Sequence, residues 1–304
     1  MVEAPNANRG EAPYWFVAGA RGMVGRCVLE RMAGSVPPVR ILALSRGDPP
    51  PWAMAMPAVG WRRGDLYRDA LVDPVSTLLS AGPLDGLAQC LERHKPPGLR
   101  RVVALSSTSL HVKRGSPDAR ERELALRLAA AESRLAAWCA TADVAWTILR
   151  PTLIYDDHEG GALGALARMR RRFGCVPAPA GLRGLRQPVH ADDIAGAMLA
   201  VAVTAAGIDR AYDLPGGESL AYGEMLRRYL RRDGRAARVW SLPPRAFAAV
   251  AALARRFGIA PEATDAALSR IEADLVFDAA AAARDFGYSP RGFAPGGVGS
   301  RPRD

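Results

Sequence analysis

Between its two polar ends the chain alternates short apolar runs with stretches in which apolar residues recur at helical spacing. Tyr14–Ala18 is an apolar run that stops at a glycine, after which Met23, Val24, Cys27, Val28 and Met32 fall every three or four positions. A strand, a turn and a helix are predicted in that order. Further β-branched runs predict strands over Val39–Leu44, Val59–Arg62, Val75–Leu79, Arg101–Leu105 and Val144–Leu149. Strands separated by helical or loop segments describe a parallel sheet joined by right-handed crossovers.

The strongest helix signal opens at Ser116-Pro117-Asp118, where serine can cap free N–H groups and proline suits the first helical position. It runs to about Ala140, with Leu124, Leu128, Ala131, Leu135 and Trp138 on the face expected to meet the sheet. After Pro151 the pattern loosens into Gly-rich loops, a helix over Leu163–Phe173 and another after His190. A short strand over Ala211–Leu214 and helices over Tyr222–Arg232, Arg245–Arg256 and Glu262–Ile271 complete the prediction. Residues 1–12 and 293–304 are polar or rich in Gly, Pro and Arg, and are expected to be loose tails.

Composition narrows the partners. Of 304 residues 49% are hydrophobic and 24% charged, the balance of a folded globular chain. The formal charge of +10 raises nucleic-acid binding, but lysine occurs only at Lys95 and Lys113 and the arginines are spread along the chain. The cluster Arg168, Arg170, Arg171 and Arg172 reads as one solvated helix face, so neither nucleic acid nor membrane is expected as a partner. Cys27, Cys90, Cys139 and Cys175 lie far apart without metal-ligand spacing, so no metal or disulfide framework is expected. No apolar signal core opens the chain, and Ile194–Ile208 is short and alanine-rich, which favours a cytoplasmic enzyme or binding protein.

The chemistry begins at Gly19-Ala20-Arg21-Gly22-Met23-Val24-Gly25, between the first strand and the first helix. Gly19 permits a sharp turn, Gly22 lets backbone approach a pyrophosphate, and Gly25 lets the helix lie close to the strand. The helix N-terminus adds N–H donors and a positive dipole end. This context predicts an α/β fold with a Rossmann-type doubly wound parallel sheet that binds a nicotinamide dinucleotide. At the end of the second strand stand Ser45 and Arg46, where a carboxylate would select NAD. Arg46, joined by Arg21, can grip a 2′-phosphate, so NADP is expected and NAD less so.

Taken with these residues, the chain resembles the extended or atypical short-chain dehydrogenase/reductases, the NAD-dependent epimerase/dehydratase group, over about residues 13 to 292. The glycine turn is similar to that of GDP-fucose synthases, which favour NADP. Further matches are Gly64-Asp65-Leu66, Ser80-Ala81-Gly82, Ser106-Ser107-Thr108, Leu149 to Tyr155 including Pro151, Val189 to Ala195, and Phe277-Asp278 with Phe286 to Pro290. The resemblance implies that Asp65 and Leu66 meet the adenine side and that Ser80, Ala81, Gly82, Ser106 and Pro151 also line the cofactor. It implies a dinucleotide-binding domain over 13–155, completed by about 185–210. A small, mostly helical C-terminal substrate region would come from 156–184 and 211–292. A homodimer is one arrangement open to such a protein.

One departure stands out. The group's catalytic tyrosine and the lysine four residues later are missing, because residues 91 and 109, four before the two lysines, are leucine and serine. Alignment on Glu132 puts Leu124 and Leu128 at those places, and leucine can neither donate a proton nor orient a ribose. Either another segment supplies the chemistry, with Ser107 or Thr108 bonding the reacting oxygen and His111 exchanging the proton, or the protein is a non-catalytic NADP-binding regulator or scaffold. Nucleotide-sugar epimerases carry an arginine at the place of Arg186 that contacts the substrate diphosphate, so a small substrate, including a nucleotide sugar, is expected there. His190 is assigned to structure, with Asp192 or Asp193 capping the following helix.

Overall fold

The computed structural model describes residues 14–34, 40–158, 160–234, 238–243, 245–250 and 271–296. Seven strands form one parallel sheet: β1 (Tyr14–Ala18), β2 (Ile41–Ser45), β3 (Val59–Arg63), β4 (Val75–Ser80), β5 (Arg101–Leu105), β6 (Ala145–Pro151) and β11 (Arg210–Leu214). Their order across the sheet is β11-β6-β5-β4-β1-β2-β3, so the chain winds outward to β3 and then returns to the other side of β1. That reversal, between β1 and β4, opens a crevice at the carboxyl ends of the strands.

Helices cover both faces. α1 (Met23–Ala33) and α6 (Ala191–Ala202) bury Val24, Val28, Leu29, Ile194 and Met198 on one face. α2 (Leu84–Arg93) and α4 (Ala119–Ala142) bury Leu87, Leu91, Ala131, Leu135 and Cys139 on the other. The inner strands β2, β4 and β5 are buried on both faces, as a doubly covered parallel sheet requires, whereas the edge strand β3 is partly exposed. The fold is the expected α/β doubly wound sheet. The long helix starts two residues later than the serine signal suggests: Asp118 is its cap, accepting from the Arg120 N–H at 2.8 Å. Ser116 instead accepts from the Asp118 N–H at 3.2 Å and bonds Glu121 at 2.6 Å, organising the turn before the helix.

The remaining elements form a smaller assembly over the carboxyl ends. α5 (Gly161–Phe173) and α7 (Tyr222–Arg231) bury Leu163, Ala167, Met225, Leu226 and Tyr229 together with Tyr155 and Phe293. Among the described residues this region also holds short strands that the sequence does not predict. It contains the paired strands β7 (Ile154–Tyr155) with β10 (Val189–His190), β9 (Leu185–Arg186) with β12 (Leu220–Ala221), and β8 (Cys175–Pro179) with β13 (Arg238–Leu242). Two-residue pairs carry no periodicity, and the two prolines of β8 argue against a strand except in a ribbon with free edges, where a missing N–H can face outward. α3 (Ser109–Val112) is a single turn after β5, and α8 (Ala280–Phe286) packs beside β11. Residues 245–250 are helical; the rest of the helices expected over 245–256 and 262–271 lies mostly outside the described residues, as do residues 1–12. The tail expected from 293 starts later, because Phe293 is buried against Tyr155 with ring centroids 4.8 Å apart and donates its N–H to Glu218.

Candidate functional site

The glycine turn lies at the carboxyl end of β1, where each glycine meets a different constraint. Gly19 has φ of +73°, a left-handed backbone, and a Cβ there would stand 2.6 Å from the Ala81 carbonyl carbon and the Gly82 nitrogen. At Gly25 a Cβ would overlap the Gly19 carbonyl, so the absence of a side chain lets α1 approach the strand. Gly22 is exposed, caps α1 with extended backbone, and its missing Cβ would meet only the Gly19 oxygen at 3.2 Å. A ligand can approach the backbone there. Met23 lies against Gly160, just ahead of α5, while Val24 and Gly25 face the core.

A cleft of about 410 Å3 runs from this turn across the ends of β1 to β4. Gly19, Arg21 and Gly22 line one side, Ser45, Arg46 and Gly47 the next, Asp65, Leu66 and Tyr67 a third, and Ala81 and Gly82 the last. The Arg21 guanidinium reaches across the cleft and presses on Gly47, whose missing side chain makes room for it. Arg21 and Arg46 are both exposed, and neither has an ion-pair partner among the described residues. The nearest carboxylate in sequence, Asp48, pairs with Arg63 at 3.8 Å. The Ser45 hydroxyl is donated to the Gly47 carbonyl at 2.5 Å, so it shapes the loop that Arg21 meets. Asp65 accepts from the Tyr67 N–H at 2.9 Å, and the Tyr67 hydroxyl is donated to Asp85 at 2.8 Å.

Beyond this cleft, along the carboxyl ends of β4 and β5, the Ser80 and Ser106 hydroxyls are buried without a hydrogen-bond partner. Buried polar groups are normally satisfied, so two unpartnered hydroxyls beside the glycine cradle fit a polar ligand such as the ribose or carboxamide end of a dinucleotide. Ser107 accepts from the Ser109 N–H at 3.1 Å. Thr108 is buried and donates its hydroxyl to the Pro151 carbonyl at 3.3 Å, so that hydroxyl is committed to structure. His111 sits on α3 with Nε2 3.2 Å from Asp213 at the end of β11. Leu124 and Leu128 are half-buried on α4. One turn beyond Leu128, the buried Glu132 holds Arg150, with Nε of the guanidinium 2.9 Å from Oε1. That ion pair raises the guanidinium's pKa.

Arg186 is buried rather than presented to a ligand. Its Nη1 donates to the carbonyls of Leu185 and Ala273, both at 2.7 Å, and its guanidinium lies 5.2 Å from the centre of the Tyr222 ring. Because two of its donors are spent on backbone, it ties β9 to the segment beyond residue 271. His190, not an aspartate, caps α6, its Nδ1 accepting from the Asp192 N–H at 3.1 Å. Asp192 and Asp193 are drawn away by arginines: Asp192 by Arg31 at 2.6 Å and by Arg291 at 2.7 Å, Asp193 by Arg291 at 2.8 Å. Among the described residues no group of acidic, Cys or His side chains is placed to hold a metal, and no helix is long and apolar enough to cross a membrane.

Sheet order, reversal point and glycine turn together define a Rossmann-type fold. No protein-family model matches the chain, and no curated protein matches it by sequence. Solved structures do. UDP-glucuronic acid 4-epimerase from Bacillus cereus in complex with NAD superposes with a TM-score of 0.70 at 13% identity, covering 91% of this chain and 93% of that one. UDP-glucose 4-epimerase with UDP-glucose from Thermotoga maritima gives 0.68 at 12% identity, covering 91% and 93%. UDP-N-acetylglucosamine 4-epimerase from Methanobrevibacter ruminantium, in complex with UDP-N-acetylmuramic acid, gives 0.62 at 10% identity, covering 77% and 87%. At these identities the likeness establishes the fold.

Proposed function

We propose that this protein binds NADP in the cleft at the glycine turn and acts as an oxidoreductase or epimerase on a small substrate of the nucleotide-sugar class. The observation that supports the cofactor reading is the reach of Arg21 onto Gly47 beside Arg46, two guanidiniums at the end of β2 where a Rossmann-type site would take the ribose 2′ position. Planar, charge-assisted donors suit a phosphate there. Gly19, Gly22 and the start of α1 would take the pyrophosphate, Asp65 and Leu66 the adenine side, and Ser80 and Ser106 the nicotinamide end. Bound there, the dinucleotide would accept or give a hydride.

Proton exchange falls to His111, with the Ser107 hydroxyl, which accepts from Ser109 and is free to donate, bonding the reacting oxygen. General acid–base groups of this kind contribute roughly 10²- to 10⁴-fold to rate. Support for the substrate class comes from the neighbours of the same fold, whose structures hold UDP-glucose and UDP-N-acetylmuramic acid. The half-buried Leu124 and Leu128 favour a second reading, in which the protein binds NADP and reports its presence without turnover. A screen of UDP and GDP sugars that follows NADPH absorbance for net oxidation or reduction, and sugar products by NMR for epimerisation, separates the two. Turnover that His111→Ala lowers at least 100-fold supports the enzyme, and tight NADP binding with no turnover on any of them supports the regulator.

A further inference from the structure

Three charged side chains and a histidine, from four elements, form a single file across the carboxyl end of the sheet. Glu132 of α4 holds Arg150 of β6, Arg150 Nη1 lies 3.8 Å from Asp213 Oδ1, and the same oxygen is 3.2 Å from His111 Nε2. Arg150 and Asp213 are register partners on adjacent parallel strands, so their side chains leave the same face of the sheet, toward α4. Side-chain exposure rises along the file, from 10% at Glu132 through 19% and 24% to 42% at His111. The buried ion pair fixes the arginine, the arginine fixes the carboxylate, and the carboxylate meets the imidazole, the side chain of the file suited to general acid–base chemistry. Among the described residues the other ring nitrogen, Nδ1, has no protein partner.

We infer that Asp213 is a positioning residue for His111: it accepts the Nε2 proton, fixes the ring tautomer and leaves Nδ1 as the nitrogen that exchanges a proton with substrate. The inference rests on the reading of this protein as an NADP-binding enzyme and deepens it. His111 follows directly from the β5 end that carries Ser106, and ligands of open α/β sheets lie outside these carboxyl ends. In oxidation of a carbinol, the hydroxyl proton passes to Nδ1 while the C–H hydride leaves for the oxidised nicotinamide. The products are a carbonyl, the reduced dinucleotide and an imidazolium whose new charge faces the Asp213 carboxylate. Reduction of a carbonyl runs the same transfers backward. Arg150 titrates too high to join the relay, so its part is to hold the carboxylate in place.

The test uses the full chain labelled with ¹⁵N at histidine, of which there are four, with the His111 ring assigned from His111→Gln. An exposed imidazole N–H exchanges with water too fast to be seen unless an acceptor holds it. The native protein should show a ring N–H resonance from His111 that Asp213→Ala abolishes and that Asp213→Asn, which keeps the side chain's size, weakens. NADPH should then move the His111 ring signals while 2′,5′-ADP, the adenine half alone, leaves them in place. A His111 ring signal unaffected by either substitution overturns the positioning role. If calorimetry shows NADPH bound but His111 does not respond to it, the catalytic role fails and the cofactor reading survives. If NADPH does not bind, the cofactor reading fails, and the proposed role in proton transfer fails with it.

Discussion

At Gly22 the backbone φ is −72°, which any residue adopts, and only the Gly19 carbonyl lies near the place a Cβ would occupy. A side chain there would project into the space left for a pyrophosphate. Gly22→Val should therefore fold, lose at most about 1 kcal/mol through a poorer helix cap, and fail to bind NADP in calorimetry. Gly25→Ala should do the opposite, because its methyl overlaps the Gly19 carbonyl: the melting temperature falls by several degrees, and binding declines only as the fold does. The turn was legible in the sequence because an apolar run, the glycines and a helical period follow one another. The Arg21 contact with Gly47 was not, since no local pattern tells which way a long flexible side chain crosses a loop. The surroundings of Arg186 were hidden for a related reason. In sequence an arginine reads as a surface charge or ligand clamp, whereas here two carbonyls and a tyrosine ring enclose it. Arg186→Ala should cost about 2–4 kcal/mol, read as a lower urea midpoint, because buried carbonyls lose their donor. A change in UDP-sugar binding with no loss of stability would return Arg186 to the substrate site.

Among the elements, the sheet strands were legible to within about two residues because the inner ones are short, largely apolar runs buried on both faces. The two-residue strands β7, β9, β10 and β12 were not, since their pairing depends on partners tens of residues away. The same holds for Asp192 at the start of α6, where neither Arg31 nor Arg291 could be seen as its partner from sequence. Burial raises the Asp192 pKa, but the two guanidiniums outweigh it and hold the carboxyl below the ordinary carboxylate range. A carboxylate depressed in the folded state adds stability that is present above its unfolded pKa of about 4 and is lost as pH falls through the lower folded value. Asp192→Asn should thus lower the melting temperature by a few degrees at pH 7, and the gap from the native protein should close as pH drops below about 4. A gap that stays constant down to pH 3 would mean that the network of Arg31, Asp192 and Arg291 adds no pH-linked stability.

On the scale of the whole molecule, the order β11-β6-β5-β4-β1-β2-β3 places the reversal of strand order beside a glycine turn, and the proposed dinucleotide site rests on that conjunction. The doubly wound sheet followed from the alternation of strand and helix signals, whereas the smaller assembly over its carboxyl ends did not, because its strands are short, proline-bearing and far apart in sequence. A ligand that binds only the folded state at a hundred times its dissociation constant adds about 2.7 kcal/mol, so saturating NADP should raise the melting temperature measurably. The central claim is that the cleft prefers NADP through Arg46, with Arg21 beside it. It is tested most directly by calorimetric titration of NADP and of NAD into the native protein and Arg46→Ala. A charge-assisted contact contributes about 1.5–3 kcal/mol, so the native protein should bind NADP roughly tenfold to a hundredfold more tightly than NAD. Arg46→Ala should remove most of that preference while leaving NAD affinity nearly unchanged. A native protein that prefers NAD, or a substitution that weakens both equally, would contradict the account.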